Sequence, residues 1–171
     1  MDFFNEYIVT QKKGAKEFLL IFAMIVGAIL LILLLTAFAG YLQSFFLLLL
    51  AGVIYMLYIG ISAQNIEYEY IVTNGELDID KIAARRKRTR VISAHSRNFE
   101  YFAPLNQEHM AEFNNPNITK RFDFSSNTKS PRVYFVILNK DNEKTCFTFE
   151  PTDKMLDCFS RYVPRNVFYT A

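Results

Sequence analysis

The pattern of apolar and polar positions divides the chain into two stretches. From Phe18 to Ala63 no side chain carries a charge. A bilayer core of about 30 Å needs roughly 20 apolar residues per crossing helix, so this run is long enough for two. Gly40, followed by Tyr41, Gln43 and Ser44, is the only cluster inside it with turn character. The pattern predicts one helix over Phe18–Ala39, a second over Phe45–Ala63, and a very short loop between them. After Ala63 the period changes to two: Ile66, Tyr68, Tyr70 and Val72 alternate with Glu67, Glu69, Ile71 and Thr73, the signature of a half-buried strand. Asn74-Gly75 then supplies the two positive-φ residues of a type I′ hairpin turn. Leu77 and Ile79 alternate with Glu76, Asp78 and Asp80 on the returning strand.

Further short strands are predicted over Thr89–His95, Asn98–Ala103, Lys120–Ser125, Arg132–Leu138 and Lys144–Glu150, with a second tight turn at Asp141-Asn142. Leu105–Thr119 is a longer connection with one helical turn near Glu108–Phe113. Pro151-Thr152-Asp153 opens a last helix: Thr152 is the N-cap, and Asp153 suits the positive end of the helix dipole. Met155, Leu156 and Phe159 form its apolar stripe and Pro164 ends it. The predicted division is a leader over 1–17, a transmembrane helical hairpin over 18–63 and a compact domain over 64–171. The leader, with Phe3, Phe4, Tyr7, Ile8 and Val9 among charges, reads either as a short amphipathic segment at the membrane interface or as a frayed end. The apolar run is far longer than the core of a cleaved signal peptide. Asp2 after Met1, and a C-terminus without a prenylation cysteine, give no lipidation signature.

Seven short antiparallel strands and one capping helix is the element order of a pleckstrin-homology-like barrel. The segment Tyr68-Glu69-Tyr70-Ile71-Val72-Thr73-Asn74-Gly75-Glu76-Leu77-Asp78-Ile79 resembles the first hairpin of bacterial PH-like domains, which often follow a pair of membrane helices. The whole chain is similar to small membrane proteins of Gram-positive bacteria with that layout. The fold class expected is therefore α+β: an N-terminal two-helix transmembrane hairpin, then an antiparallel β PH-like barrel of about seven strands with a C-terminal helix. The resemblance implies a fold and a location in the cell membrane; it implies no reaction and no site residues.

Charge sharpens the picture at one place. Arg85-Arg86-Lys87-Arg88-Thr89-Arg90 puts five cations in six residues, whereas the remainder from Gln64 onward holds 11 Lys and Arg against 14 Asp and Glu. A strand of eight residues rising from Ile66 spans roughly 27 Å at about 3.3 Å per residue, and its partner returns over the same length. The basic loop is thereby expected to face the inner leaflet, where anionic lipid attracts each juxtamembrane cation with about 1 kcal/mol. Arg85, Arg86, Lys87, Arg88 and Arg90 are the candidate lipid contacts; the alternatives are a solvated loop that only sets topology, or an acidic protein partner. Lys12, Lys13 and Lys16 precede the first span and the basic run follows the second, while the connecting loop has neither Lys nor Arg. Positive residues stay inside, so both termini are expected in the cytoplasm.

Small residues at Ala23 and Gly27, and at Gly52 and Gly60, mark candidate helix-packing faces, either within the hairpin or towards a second copy or another membrane protein. No ionisable residue lies inside either span, which argues against an ion path. Two cysteines and two histidines at irregular spacing do not make a zinc site. No phosphate loop, dinucleotide fingerprint or nucleophile elbow occurs. Ser93, His95 and Ser96 have no carboxylate placed to orient the histidine. No cofactor, no metal and no nucleic-acid partner are expected. The reading is a non-enzymatic membrane protein that engages anionic lipid or a protein partner; the alternative is a subunit or scaffold of a membrane complex assembled through the hairpin.

Overall fold

The computed structural model describes residues 3–126, 130–140 and 143–164; the predicted Asp141-Asn142 turn lies outside them. The chain forms two compact units. One comprises Lys13–Ile66 with the turn Ala83–Arg86, and the other gathers the strands and the C-terminal helix.

The first unit is a helical hairpin. Its first helix, α1, runs from Ala15 to Ala37, three residues earlier than the apolar run predicts. Glu17 extends it: its Oε2 accepts the Gly14 N–H at 2.8 Å and so satisfies one free donor at the helix start. Gly40 is no open loop. It lies in a single helical turn, α2 (Ala39–Leu42), followed by a 3-10 turn over Gln43–Phe45 and then α3 (Phe46–Ala63). The reversal falls at Gln43, whose φ is +35°. The helices Ala15–Ala37 and Ala39–Ala63 are each long and apolar enough to cross a membrane. Of their most apolar stretches only 6% and 0% is buried by the rest of the protein, whereas the core helix of a soluble domain would be mostly covered.

Among the described residues the second unit contains eight strands in two four-stranded sheets. The first sheet has the order β1 (Phe4–Thr10), β2 (Ile66–Thr73), β3 (Glu76–Ala83), β4 (Lys87–His95). The second has the order β5 (Phe99–Pro104), β7 (Tyr134–Lys140), β8 (Glu143–Phe149), β6 (Lys120–Asp123). A one-turn helix, α4 (Met110–Phe113), sits in the long connection, and α5 (Asp153–Tyr162) follows the last strand. This corrects the expected closed barrel of about seven strands. The sheets do not close on each other, and β6 runs parallel to β8 instead of antiparallel. The long Leu105–Thr119 connection carries the chain from β5 at one edge of this sheet to β6 at the other, and such a crossover lets β6 run in the same direction as β8.

The leader is the larger correction. Phe4–Thr10 is neither an interfacial segment nor a frayed end. It is β1, paired antiparallel to β2 with Tyr7 opposite Tyr70 and Val9 opposite Tyr68. The sequence carries a signal for it: Glu-Tyr-Ile-Val-Thr occurs twice, at 6–10 and at 69–73, and the two copies form the ladder. Asn74 anchors the start of β1, accepting the Phe3 N–H on Oδ1 at 2.8 Å and donating its own N–H to Phe3 O at 3.1 Å.

Aromatic side chains fill the space between the sheets. Phe102 stacks on Phe149 at 5.9 Å, and Tyr70 meets Phe149 edge-on at 5.6 Å. Edge-on and offset contacts of this kind add about 0.5–1.5 kcal/mol each beyond area burial. The Tyr70 hydroxyl, buried with its ring, donates to Phe124 O at 2.6 Å, and burial raises its pKa. Helix α5 brings Met155, Cys158 and Phe159 onto this core. Its start is as predicted, with Thr152 Oγ1 accepting the Met155 N–H at 3.3 Å.

Asn74 and Gly75 have φ of +49° and +87°, as a type I′ turn requires. Gly75 is further constrained because a Cβ there would lie 2.6 Å from the Tyr162 ring. Gly75→Ala therefore meets both backbone strain and a clash. It is expected to lower stability by about 1–3 kcal/mol, seen as a lower thermal midpoint of the full chain in detergent. Combining it with Tyr162→Ala should remove the clash with the ring and leave the backbone strain and the close approach to Ser96 Oγ at 3.0 Å.

Candidate functional site

The basic run falls on three different pieces of structure. Arg85 and Arg86 belong to the Ala83–Arg86 turn, where Ala84 and Arg85 take φ of +53° and +56°. The Ala84 N–H donates to Asn65 O at 2.9 Å, and the Gln64 and Asn65 N–H groups still bond back to Ile61 and Ser62 in the last turn of α3. The turn is thus tied to Asn65, two residues beyond the end of α3. Arg85, Arg86 and Lys87 have exposed side chains, Lys87 being the first residue of β4.

Arg88 and Arg90 are used differently. Arg88 Nη2 lies 2.8 Å from the Glu69 carboxylate. Arg90 bridges two carboxylates, Asp80 at 2.6 Å and Asp78 at 2.5 Å. The alternation places Glu69, Asp78 and Asp80 on the face of the first sheet that points away from the aromatic core, the face that a half-buried strand turns to solvent. Glu69 is in fact fully covered, with 0% exposure, and Asp80 nearly so at 4%. The two arginines neutralise this acidic face, so their charge is held within the sheet.

Burial raises the pKa of Glu69, the Glu6 carboxyl hydrogen-bonded to it raises it further, and Arg88 opposes both. Glu6 and Glu69 are the equivalent residues of the two repeats. The hydroxyl of Tyr68 and the thiols of Cys146 and Cys158 are also raised by burial, Cys146 to about 11. Both cysteines are free and buried.

The helix-packing residues also separate. α1 and α3 meet through Met24, Gly27, Ala28 and Leu31 on one side and Val53, Met56 and Leu57 on the other, around an open groove of about 270 Å³. Gly60 takes part, since a Cβ there would lie 2.9 Å from Met24 Sδ. Gly27 lines the groove without close contact, and Ala23 and Gly52 point outward. Of the four small residues Ala23, Gly27, Gly52 and Gly60, Gly27 and Gly60 therefore lie between the helices. The larger residues Met24, Leu31, Val53 and Leu57 were missed because a uniformly apolar helix gives no periodic contrast between its inner and outer faces.

His95 accepts the Arg97 N–H on Nδ1 at 3.2 Å and packs edge-on to Tyr162. His109 Nδ1 lies 2.8 Å from the Tyr101 hydroxyl. Among the described residues no group of three or more His, Cys, Asp or Glu is placed to hold a metal ion.

A carboxyl whose folded pKa exceeds its unfolded value keeps its proton in the folded state, so stability falls as pH rises through that window. For Glu69 the window opens above its ordinary value of 4.5. Glu69→Gln retains an acceptor for Arg88 and removes the titration. Its thermal midpoint is expected to decline less than that of the unaltered chain between about pH 4 and pH 7, measured by thermal scans of the full chain at closely spaced pH.

No curated protein and no solved structure matches this chain. A family description does, over almost its whole length. From residue 1 to residue 169 the sequence fits Bacterial PH-like domain (DUF6106), in agreement with two stacked sheets capped by a C-terminal helix, and the chain belongs to that family.

Proposed function

We propose that the chain is a non-enzymatic membrane protein in which the helical hairpin is embedded in the bilayer and Arg85 and Arg86 bind anionic lipid head groups where α3 emerges. The observation that carries this reading is the 2.9 Å hydrogen bond from Ala84 to Asn65. It fixes a bicationic turn at the terminus of an uncharged helix, where head-group phosphates would lie. Two apolar helices whose outer faces the protein does not cover need a surrounding as apolar as themselves.

The pairing of β1 with β2 supports a hairpin that returns to its starting side, because strands of one sheet share one side of a bilayer. The lysines before α1 and the arginines after α3 favour the cytoplasmic side for both. Arg88 and Arg90, with their carboxylate partners, contribute to the sheet more than to the lipid. The second reading, a subunit or scaffold of a membrane complex, draws on the outward positions of Ala23 and Gly52, where another helix can approach closely.

The test uses the full chain in nanodiscs made from phosphatidylcholine and phosphatidylglycerol. Lipid retained after delipidating washes is quantified. Phosphatidylglycerol is expected to be enriched over its bulk share, with each arginine worth about fivefold at its site. Arg85→Ser with Arg86→Ser, or high salt, should return the ratio toward bulk. A bulk ratio for the unaltered chain would overturn lipid recognition and leave the scaffold reading, which cross-linking from Ala23 and Gly52 to neighbouring helices addresses.

A further inference from the structure

The failure of the two sheets to close leaves an opening with a definite chemistry. Among the described residues β4 ends the first sheet and β6 ends the second, each paired on one side alone. Such edges present unpaired backbone N–H and C=O groups. The two edges border the same space. A cavity of about 410 Å³ is lined by Tyr68, Lys81 and Val91 from the first sheet and by Arg121, Phe122, Asp123 and Phe124 from β6 and the residue after it. A second, of about 180 Å³, is lined by Val91 and Ile92 together with Lys120, Phe122, Lys140, Glu143 and Thr145.

The two linings combine aromatic and aliphatic side chains with four cations and two carboxylates. All four residues of β6 are exposed. Phe122, 43% exposed, stacks flat on Phe124 at 5.8 Å and presents its other surroundings to the opening. The charges there do not cancel. Lys120 is paired with Glu143. Arg121 is committed to the backbone, donating to Phe113 O and to Asn115 O. Asp123 Oδ1 already accepts from the Ser125 N–H, the Ser125 hydroxyl and the Thr148 hydroxyl. Lys81 and Lys140 have no carboxylate partner among the described residues, and Lys81 is half-buried. Lys81, a half-buried cation with no carboxylate partner among the described residues, lies beside an exposed aromatic ring and a strand edge, so the site has places for a carboxylate, an apolar side chain and a main chain.

An extended peptide supplies all three. We propose that the gap between β4 and β6 is a docking site for an acidic peptide segment. The segment adds as a strand along β6, sets an apolar side chain against Phe122 and places a carboxylate on Lys81. In strand addition the main-chain hydrogen bonds give affinity, and pockets for alternate side chains give specificity. The alternating acidic and apolar pattern that would fit is the one a half-buried strand carries. The free edge is what favours a peptide over an anionic lipid, which would use the lysine and the ring but none of the backbone groups. The site lies wholly within the strand-containing unit and does not depend on the lipid contacts proposed for Arg85 and Arg86.

The probe is a soluble pool of peptides of about eight residues that alternate Asp or Glu with Val, Ile or Phe. It is presented to the full chain in detergent micelles. Members are expected to be retained. Retention should fall about tenfold for Lys81→Glu, for Phe122→Ser, and for peptides carrying a central proline, which cannot complete the ladder. Hydrogen exchange should slow at the β6 and β4 amides on binding. Both substitutions fall on incompletely buried side chains, and thermal scans report whether the variants fold. No retained peptide, equal retention of proline-interrupted or lysine-for-acid peptides, or displacement of all peptides by anionic detergent without amide protection would each overturn the proposal, the last in favour of an amphiphile. Arg85→Ser with Arg86→Ser should leave peptide retention unchanged, so this test and the lipid test fail separately.

Discussion

Seven residue pairs join Phe4–Thr10 to Glu67–Thr73, and much else in the molecule follows from this ladder. The segment between these strands contains the whole helical hairpin, so the hairpin is an insertion between two neighbours of one sheet. Thr10 opposite Glu67 brings the chain leaving β1 and the chain entering β2 together. The same ladder puts Tyr7 against Tyr70 and Val9 against Tyr68, extending the aromatic core by one strand. It also brings Glu6 to Glu69, and that carboxyl pair is what Arg88 has to neutralise. Without β1, Tyr70 would lose a ring neighbour at 6.3 Å and Glu69 its hydrogen-bonded partner.

Much of the fold is legible in local pattern. The uncharged run gives both long helices, Asn74-Gly75 gives the hairpin with its positive φ values, and Thr152 gives the start of α5. Each of these depends on residues within a few positions of one another. What local pattern misses is non-local. The strand nature of Phe4–Thr10 rests on a partner more than fifty residues away, visible only in the repeated Glu-Tyr-Ile-Val-Thr. The parallel β6 depends on a crossover whose length shows in the sequence but whose destination does not. Period two also identifies which face of a strand is polar without saying whether that face is wet. Glu69 and Asp80 are polar by alternation and yet buried, because arginines from β4 lie over them.

That last point changes how the basic run is understood. Five cations in six residues look like one patch, but strand geometry deals them out. Arg88 and Arg90 lie across from carboxylates, while Arg85 and Arg86 sit in the turn beside Asn65. A count of charge along a sequence therefore overstates what is offered to a partner. The share already spent inside the fold becomes visible only when strand partners are known. The lysine at position 81 is the converse, a cation outside the basic run that the fold leaves half-buried with no carboxylate partner among the described residues.

The separation of β1 from β2 also sets an order of events during synthesis. The ribosome delivers β1 first, but the strand that pairs with it emerges only after both apolar helices have been made. Until then β1 is a short apolar-and-acidic segment with nothing to bond to. Closing the ladder across the intervening residues would cost a free chain considerable loop entropy. A hairpin already folded back on itself brings its two ends together and removes most of that cost. Helix pairing therefore favours the joining of β1 to β2, whereas β2, β3 and β4 are neighbours in the chain and pair without it.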